Sequence, residues 1–193
     1  MENQVKEIAG AAIAAIGTVT AAVGSTPFPF LSENRRNDLS LWGNVLQATG
    51  NALEADGQGD VSLEKIGNEL QSAGNVTVIA GLLLNTSEEI RQKLIIDGNF
   101  IQALGGATAL GDELQDTSNQ FEIYLIIGNI LQVTGNSLQA VSGIQEYKNR
   151  SADIDGVSLD VIGSWIQAAG SVISFIGQVL EETEEQGPAG KQL

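Results

Sequence analysis

The sequence predicts an all-α protein, a six-helix bundle built from two duplicated three-helix units and held by close helix packing at heptad-spaced glycines. Three observations carry that prediction. A motif of the form Gly-[Asn/Ser]-x-[Leu/Ile]-Gln-x-x-Gly-[Asn/Ser] recurs along the chain. The segments that bear it run about 20 residues, too long for ordinary strands, and a seven-residue step is two helical turns. No proline interrupts a segment, whereas turn and cap residues gather between segments.

Taken in order, the first segment, AGAAIAAIGTVTAA, keeps the glycines (Gly10, Gly17, Gly24) and the apolar positions but lacks the amides. It ends at SerThrProPheProPhe, residues 25–30. The second, WGNVLQATGNALEA, carries Gly43, Asn44, Gln47, Gly50 and Asn51, and stops at GlyGlnGlyAsp, residues 57–60. Asp60 or Ser62 is placed to cap the third helix, IGNELQSAGNVTVI, with Gly67, Asn68, Gln71 and Gly74. Thr86 and Glu89 have capping-box spacing ahead of the fourth, DGNFIQALGGATAL, with Gly98, Asn99, Gln102 and Gly105. The fifth, IGNILQVTGNSLQA, supplies Gly128, Asn129, Gln132, Gly135, Asn136 and Gln139 between the turn residues 116–119 and 151–156. The sixth, IGSWIQAAGSVISF, supplies Gly163, Gln167 and Gly170. Segment 2 matches segment 5, and VSLEKIGNELQSAG matches VSLDVIGSWIQAAG. This pairing implies a duplication with halves at about 1–85 and 86–180, inside one domain spanning 1–193. Residues 181–193 form an acidic tail with the composition of a disordered end.

Glycine inside a helix costs about 0.5–1 kcal/mol relative to alanine, so a dozen such positions cost roughly 6–12 kcal/mol, as much as a whole domain's net stability. Close backbone approach offsets that loss, because a helix without Cβ atoms admits a neighbour into dispersion contact. With Gly at heptad position a, Leu or Ile falls at d, and Asn and Gln at b and e form one amide stripe. Two placements of the stripe follow. It is either the solvent face of a globule, or it is buried and pairs across helices or subunits, since each amide offers donors and acceptors. The uncharged helix middles favour burial from several sides. The glycines and amides named above are therefore the candidate packing and interface residues. Trp42 and Trp165 fit core packing on apolar faces better than stacking on a ligand.

The formal net charge of −15 argues against a nucleic-acid partner. No Cys and no His is present, which removes thiolate chemistry and the commonest general base and metal ligand. Asp56, Gln58 and Asp60 resemble a calcium loop, but the glycine and the terminal glutamate fall out of register. No cofactor is expected, and no catalytic or metal site; a calcium-responsive module is the weakest of the readings. The start MENQVKEIAG lacks the basic region of a secretory signal, so the expected address is cytoplasmic, with spore or cell-surface exposure after lysis as a variant.

The Gly-Asn-x-Leu-Gln units resemble a family of repetitive proteins from spore-forming bacilli, of unknown function, over most of Gly10–Leu180. The resemblance implies no activity, ligand or catalytic residue. The function expected from the residues is structural and non-enzymatic: self-association into a homo-oligomer, filament or layer through glycine seams and Asn/Gln stripes. The rival is a membrane-active, pore-forming or membrane-associated helical protein, because 8–31 and 125–145 are uncharged runs of spanning length. Against it stand the amides, costly in hydrocarbon unless paired, and the lack of basic flanks to set an orientation.

Overall fold

The computed structural model of the chain describes residues 2–114, 121–148, 153–154 and 157–185. Six helices account for nearly all of them: α1 (Glu2–Ser25), α2 (Glu33–Gly57), α3 (Leu63–Leu83), α4 (Glu88–Glu113), α5 (Glu122–Tyr147) and α6 (Leu159–Glu185). Two short strands, β1 (Asp153–Ile154) and β2 (Val157–Ser158), pair antiparallel just before α6. The turn residues 116–119, four of the six at 151–156, and tail residues 186–193 lie outside the described residues. The first part of the expected tail, through Glu185, continues α6.

Cap chemistry sets two of the starts. The Ser62 side chain accepts from Lys65 N at 3.0 Å, choosing Ser62 over Asp60 as the α3 cap. At α4 the cap is Ser87, which accepts from Ile90 N at 3.3 Å, one residue later than the Thr86 expected from the capping-box spacing. Glu88 and Glu89 then occupy the first turn, where the helix dipole favours them.

Each helix runs antiparallel to its chain neighbours, and α6 closes back on α1. Three hairpins, α1–α2, α3–α4 and α5–α6, form the tightest contacts, and α2–α3, α4–α5 and α6–α1 join them into a ring. One end of the ring holds the α1–α2, α3–α4 and α5–α6 connections, and the other holds the start of α1 and the end of α6. We call these the hairpin end and the terminal end.

The radial distribution of side chains is the reverse of a water-soluble bundle. Among described residues the buried apolar set is mostly alanine, with Val78, Ile96, Leu125 and Val161 the only larger members. Buried beside them are Gln47, Asn51, Asn68, Gln71, Asn75, Asn99, Gln102, Asn129, Gln132, Asn136 and Gln167. Large apolar side chains face outward instead, among them Ile16, Val76, Phe100, Leu104, Ile130 and Val172. The two tryptophans follow them. Trp42 is 62% exposed and Trp165 41%, not packed in a core as the sequence suggests.

Candidate functional site

The glycines sit where the hairpin helices touch. A Cβ added to Gly10 would lie 2.7 Å from the Gly50 carbonyl oxygen, and one on Gly50 would lie 2.6 Å from that of Gly10. Gly17 and Gly43 meet in the same seam, Gly67 faces Gly105, and Gly74 faces Gly98. In α5–α6, Gly128 faces Gly170 and Gly135 faces Gly163, where an added Cβ would approach a carbonyl oxygen to 2.5–2.8 Å. No real Cβ survives at such distances from backbone, so any side chain there forces the helices apart. Two further close approaches, Gly106 against Val133 and Gly143 against Ile96, join α4 to α5 between hairpins. Neither glycine stands in the motif register, so the repeat gives no signal for them.

With the glycines turned into the seams, the adjacent b and e positions turn toward the ring axis. There Gln167 donates to the Gln47 side-chain oxygen at 2.8 Å and to that of Gln102 at 3.3 Å, and accepts from Gln139 at 2.9 Å. Gln47, Gln102 and Gln167 come from alternate helices (α2, α4, α6), so a hydrogen-bonded amide knot crosses the axis. Nearer the terminal end, Asn129 donates to Glu113, and Gln132 donates to Ser174 at 3.2 Å. Asn75 donates to the Gln71 carbonyl at 2.9 Å. Asn44 is half-buried and turns back to the Ser40 carbonyl at 2.8 Å. Asn68 and Gln71 line one axial cavity and Asn99 another.

Three spaces lie along the axis. A mouth of about 740 Å³ opens at the hairpin end among Arg36, Arg91, Glu146 and Asp160. It shares Ser25, Ser40, Asn99, Gln139 and Asp160 with a chamber of about 170 Å³ that reaches the amide knot. On the far side of the knot an inner chamber of about 30 Å³ is lined from all six helices, with Glu54, Glu64 and Glu113 in its wall. Gln178 also lines it and donates to Glu7 at 3.4 Å and Glu182 at 3.2 Å, which closes the terminal end.

These carboxyls are displaced from their ordinary range. Burial, then the neighbouring Glu182, pushes Glu7 up to about 8. Burial pushes Glu113 up to about 8 against the opposing hydrogen bond from Asn129, and raises Glu64 to about 7. Burial likewise drives Glu54 well above the carboxylate range. Among the described residues, no three carboxylates converge as a metal site would require. The repeat points to the amides but not to these acids. Glu7, Glu64 and Glu113 stand outside the motif, whereas Glu54 holds in segment 2 the place of Gln139 in segment 5.

The outer face has its own pattern. Between the charged helix ends lies an uncharged belt: 8–25, 39–53, 70–83, 98–111, 123–145 and 161–180. All the carboxyls just described stand outside it. One threonine on the outer side of each helix (Thr20, Thr49, Thr77, Thr108, Thr134, Thr183) donates its hydroxyl to the carbonyl four residues earlier. Trp42, Trp165, Phe30 and Tyr147 sit near the hairpin end, together with Arg35, Arg36, Arg91, Lys93 and Lys148. Only Lys6 and Lys65 supply positive charge among the described residues of the terminal end. These bases share the hairpin end with Glu33, Asp38, Glu88, Glu89, Glu146 and Asp160, so that rim is aromatic and of mixed charge.

The fold and axis define a closed antiparallel ring of six helices with an amide-lined interior. The chain belongs to a family of unknown function (DUF6944), whose model matches residues 5–175. No curated protein and no solved structure matches it.

Proposed function

We propose that this protein is a membrane-embedded, non-enzymatic helical ring whose outer belt faces lipid and whose amides face the axis. The observation that carries this reading is the reversed radial distribution: alanine and amides inside, large aliphatic and aromatic side chains outside. In water that arrangement forfeits most of the hydrophobic driving force, and in hydrocarbon it loses nothing. The amides, which count against insertion in an isolated helix, turn to the axis once the ring closes, where Gln47, Gln102, Gln139 and Gln167 bond one another. Outward threonines bonded to their own helices, and a belt free of charge, suit the same surroundings. Among the described residues, two helices are long and apolar enough to cross a membrane, α1 and α6, and they are adjacent in the ring. Both exposed tryptophans, Trp42 and Trp165, stand toward the hairpin end, and one tyrosine stands at each rim, as in an interfacial girdle.

Flotation on phosphatidylcholine vesicles tests this directly; a zwitterionic lipid avoids repulsion by the net charge of −15. The protein floats with the vesicles and stays with them through an alkaline carbonate wash. Recovery in the bottom fraction as a monodisperse 20.2 kDa monomer overturns the reading.

Self-association is the second reading, and one observation favours it on one side of the ring. The uncharged belts of α2, α3 and α4 are roughly 21–23 Å long, short of a bilayer core of about 30 Å, whereas those of α5, α6 and α1 run roughly 27–35 Å. The short helices are contiguous, so a second copy docked there would cover them. Because the glycine seams are filled by neighbouring helices of the same chain, such an assembly would use the outer belt. Cross-linking in vesicles through lysine or through cysteines placed on α3 yields dimers under this reading, and monomer alone counts against it.

A further inference from the structure

The axis holds more than a packed polar core. Mouth, outer chamber, amide knot and inner chamber lie in line, each bounded by residues of several helices. Two side chains in this line lack full pairing. Gln102, 2% exposed, lines the outer chamber, and its side-chain nitrogen has no hydrogen-bond partner in the chain. Glu113, 4% exposed, lines the inner chamber, and its Oε2 has none. An unmet buried polar atom is costly, and a polar space larger than about 10–15 Å³ has room for water. Both chambers exceed that size, so each has room for a polar occupant that would serve these atoms.

From these features we propose that the ring axis is a conduit for water and small monovalent cations, closed here at the Gln47–Gln102–Gln167 knot and again at Gln178. This rests on the membrane reading above. The sign of the cargo follows from the wall of the inner chamber, which presents Glu54, Glu64 and Glu113 and no Lys or Arg. Deprotonated acids attract a cation, and protonated ones still offer oxygen ligands, so neither state favours an anion. The knot serves as the gate because it consists of side chains alone. Rotation of Gln167 releases Gln47, Gln102 and Gln139 together without moving a helix, which the backbone contacts of the seams forbid.

The experiment uses the full chain in phosphatidylcholine vesicles, with flotation and helical circular dichroism measured on every sample. Thallium(I) entry is read by quenching of a trapped dye, and chloride entry by a chloride-sensitive dye. Wild type admits thallium(I) faster than empty vesicles and faster than it admits chloride. Gln167→Ala, which unties the knot, raises thallium(I) entry by roughly tenfold, and Gln167→Leu, an apolar plug of similar size, lowers it. Glu113→Gln narrows the preference for thallium(I) over chloride. Protein that floats, keeps its helicity and leaves thallium(I) entry at the empty-vesicle rate in wild type and Gln167→Ala alike overturns the conduit and leaves the membrane reading standing. Chloride entry equal to thallium(I) entry overturns the cation assignment. Failure to float overturns both.

Discussion

At single residues the seams make a prediction opposite to helix propensity. Alanine stabilises an ordinary helix relative to glycine by about 0.5–1 kcal/mol. At Gly50 and Gly135 the added methyl would meet backbone at 2.5–2.6 Å, so Gly50→Ala or Gly135→Ala lowers stability by about 1–3 kcal/mol. Gly111 is the internal control. Its nearest outside atom would be Leu63 Cδ1 at 3.6 Å, an ordinary contact, so Gly111→Ala is neutral or stabilises by up to about 1 kcal/mol. Reversible unfolding in detergent micelles separates the two classes, and a common sign would refute close packing. The motif glycines were legible in the sequence because a seven-residue step fixes one helix face. Gly106 and Gly143 were not, because the α4–α5 contact they serve arises only when the hairpins close.

At the level of the element, helix starts depend on a single side chain. Ser87→Ala removes the acceptor for Ile90 N and costs about 0.5–2 kcal/mol, whereas Thr86→Ala has little effect. Equal losses for both would restore the earlier cap. Helix type and number could be read from period and punctuation. The cap could not, since Thr86 and Ser87 both satisfy the pattern and only the path of the incoming chain selects one. Orientation about each helix axis was half legible. The amide stripe is legible in the sequence, but the outward placement of Trp42 and Trp165 is not, because the pattern reads an apolar position as core. An apolar face points to the core only when the other face is the one solvated.

For the whole molecule, the buried acids at the terminal end set a pH dependence. Glu7, Glu64 and Glu113 have folded values of about 8, 7 and 8, above the 4.5 of an unfolded glutamate. The folded state therefore binds more protons across that interval, and stability is fully present below pH 4.5 and is lost as pH rises through 7 and 8. The melting temperature in micelles is higher at pH 5 than at pH 8.5, and Glu113→Gln flattens the slope. A melting temperature unchanged over the same range would place these carboxyls in water. None of this was visible in the sequence, where the acids lie at helix ends and look like solvated caps.

The central claim, that the outer belt faces lipid while the amides face the axis, is tested most directly by labelling single cysteines in a chain that has none of its own. Spin labels at Ile130→Cys and Val172→Cys lie on the outer belt, and one at Asp56→Cys marks the exposed terminal end. In vesicles, the account predicts that the belt labels are relaxed by oxygen, which concentrates in lipid, and shielded from a water-soluble nickel chelate, with the reverse at Asp56→Cys. Nickel accessibility at Ile130→Cys and Val172→Cys equal to that at Asp56→Cys would contradict it.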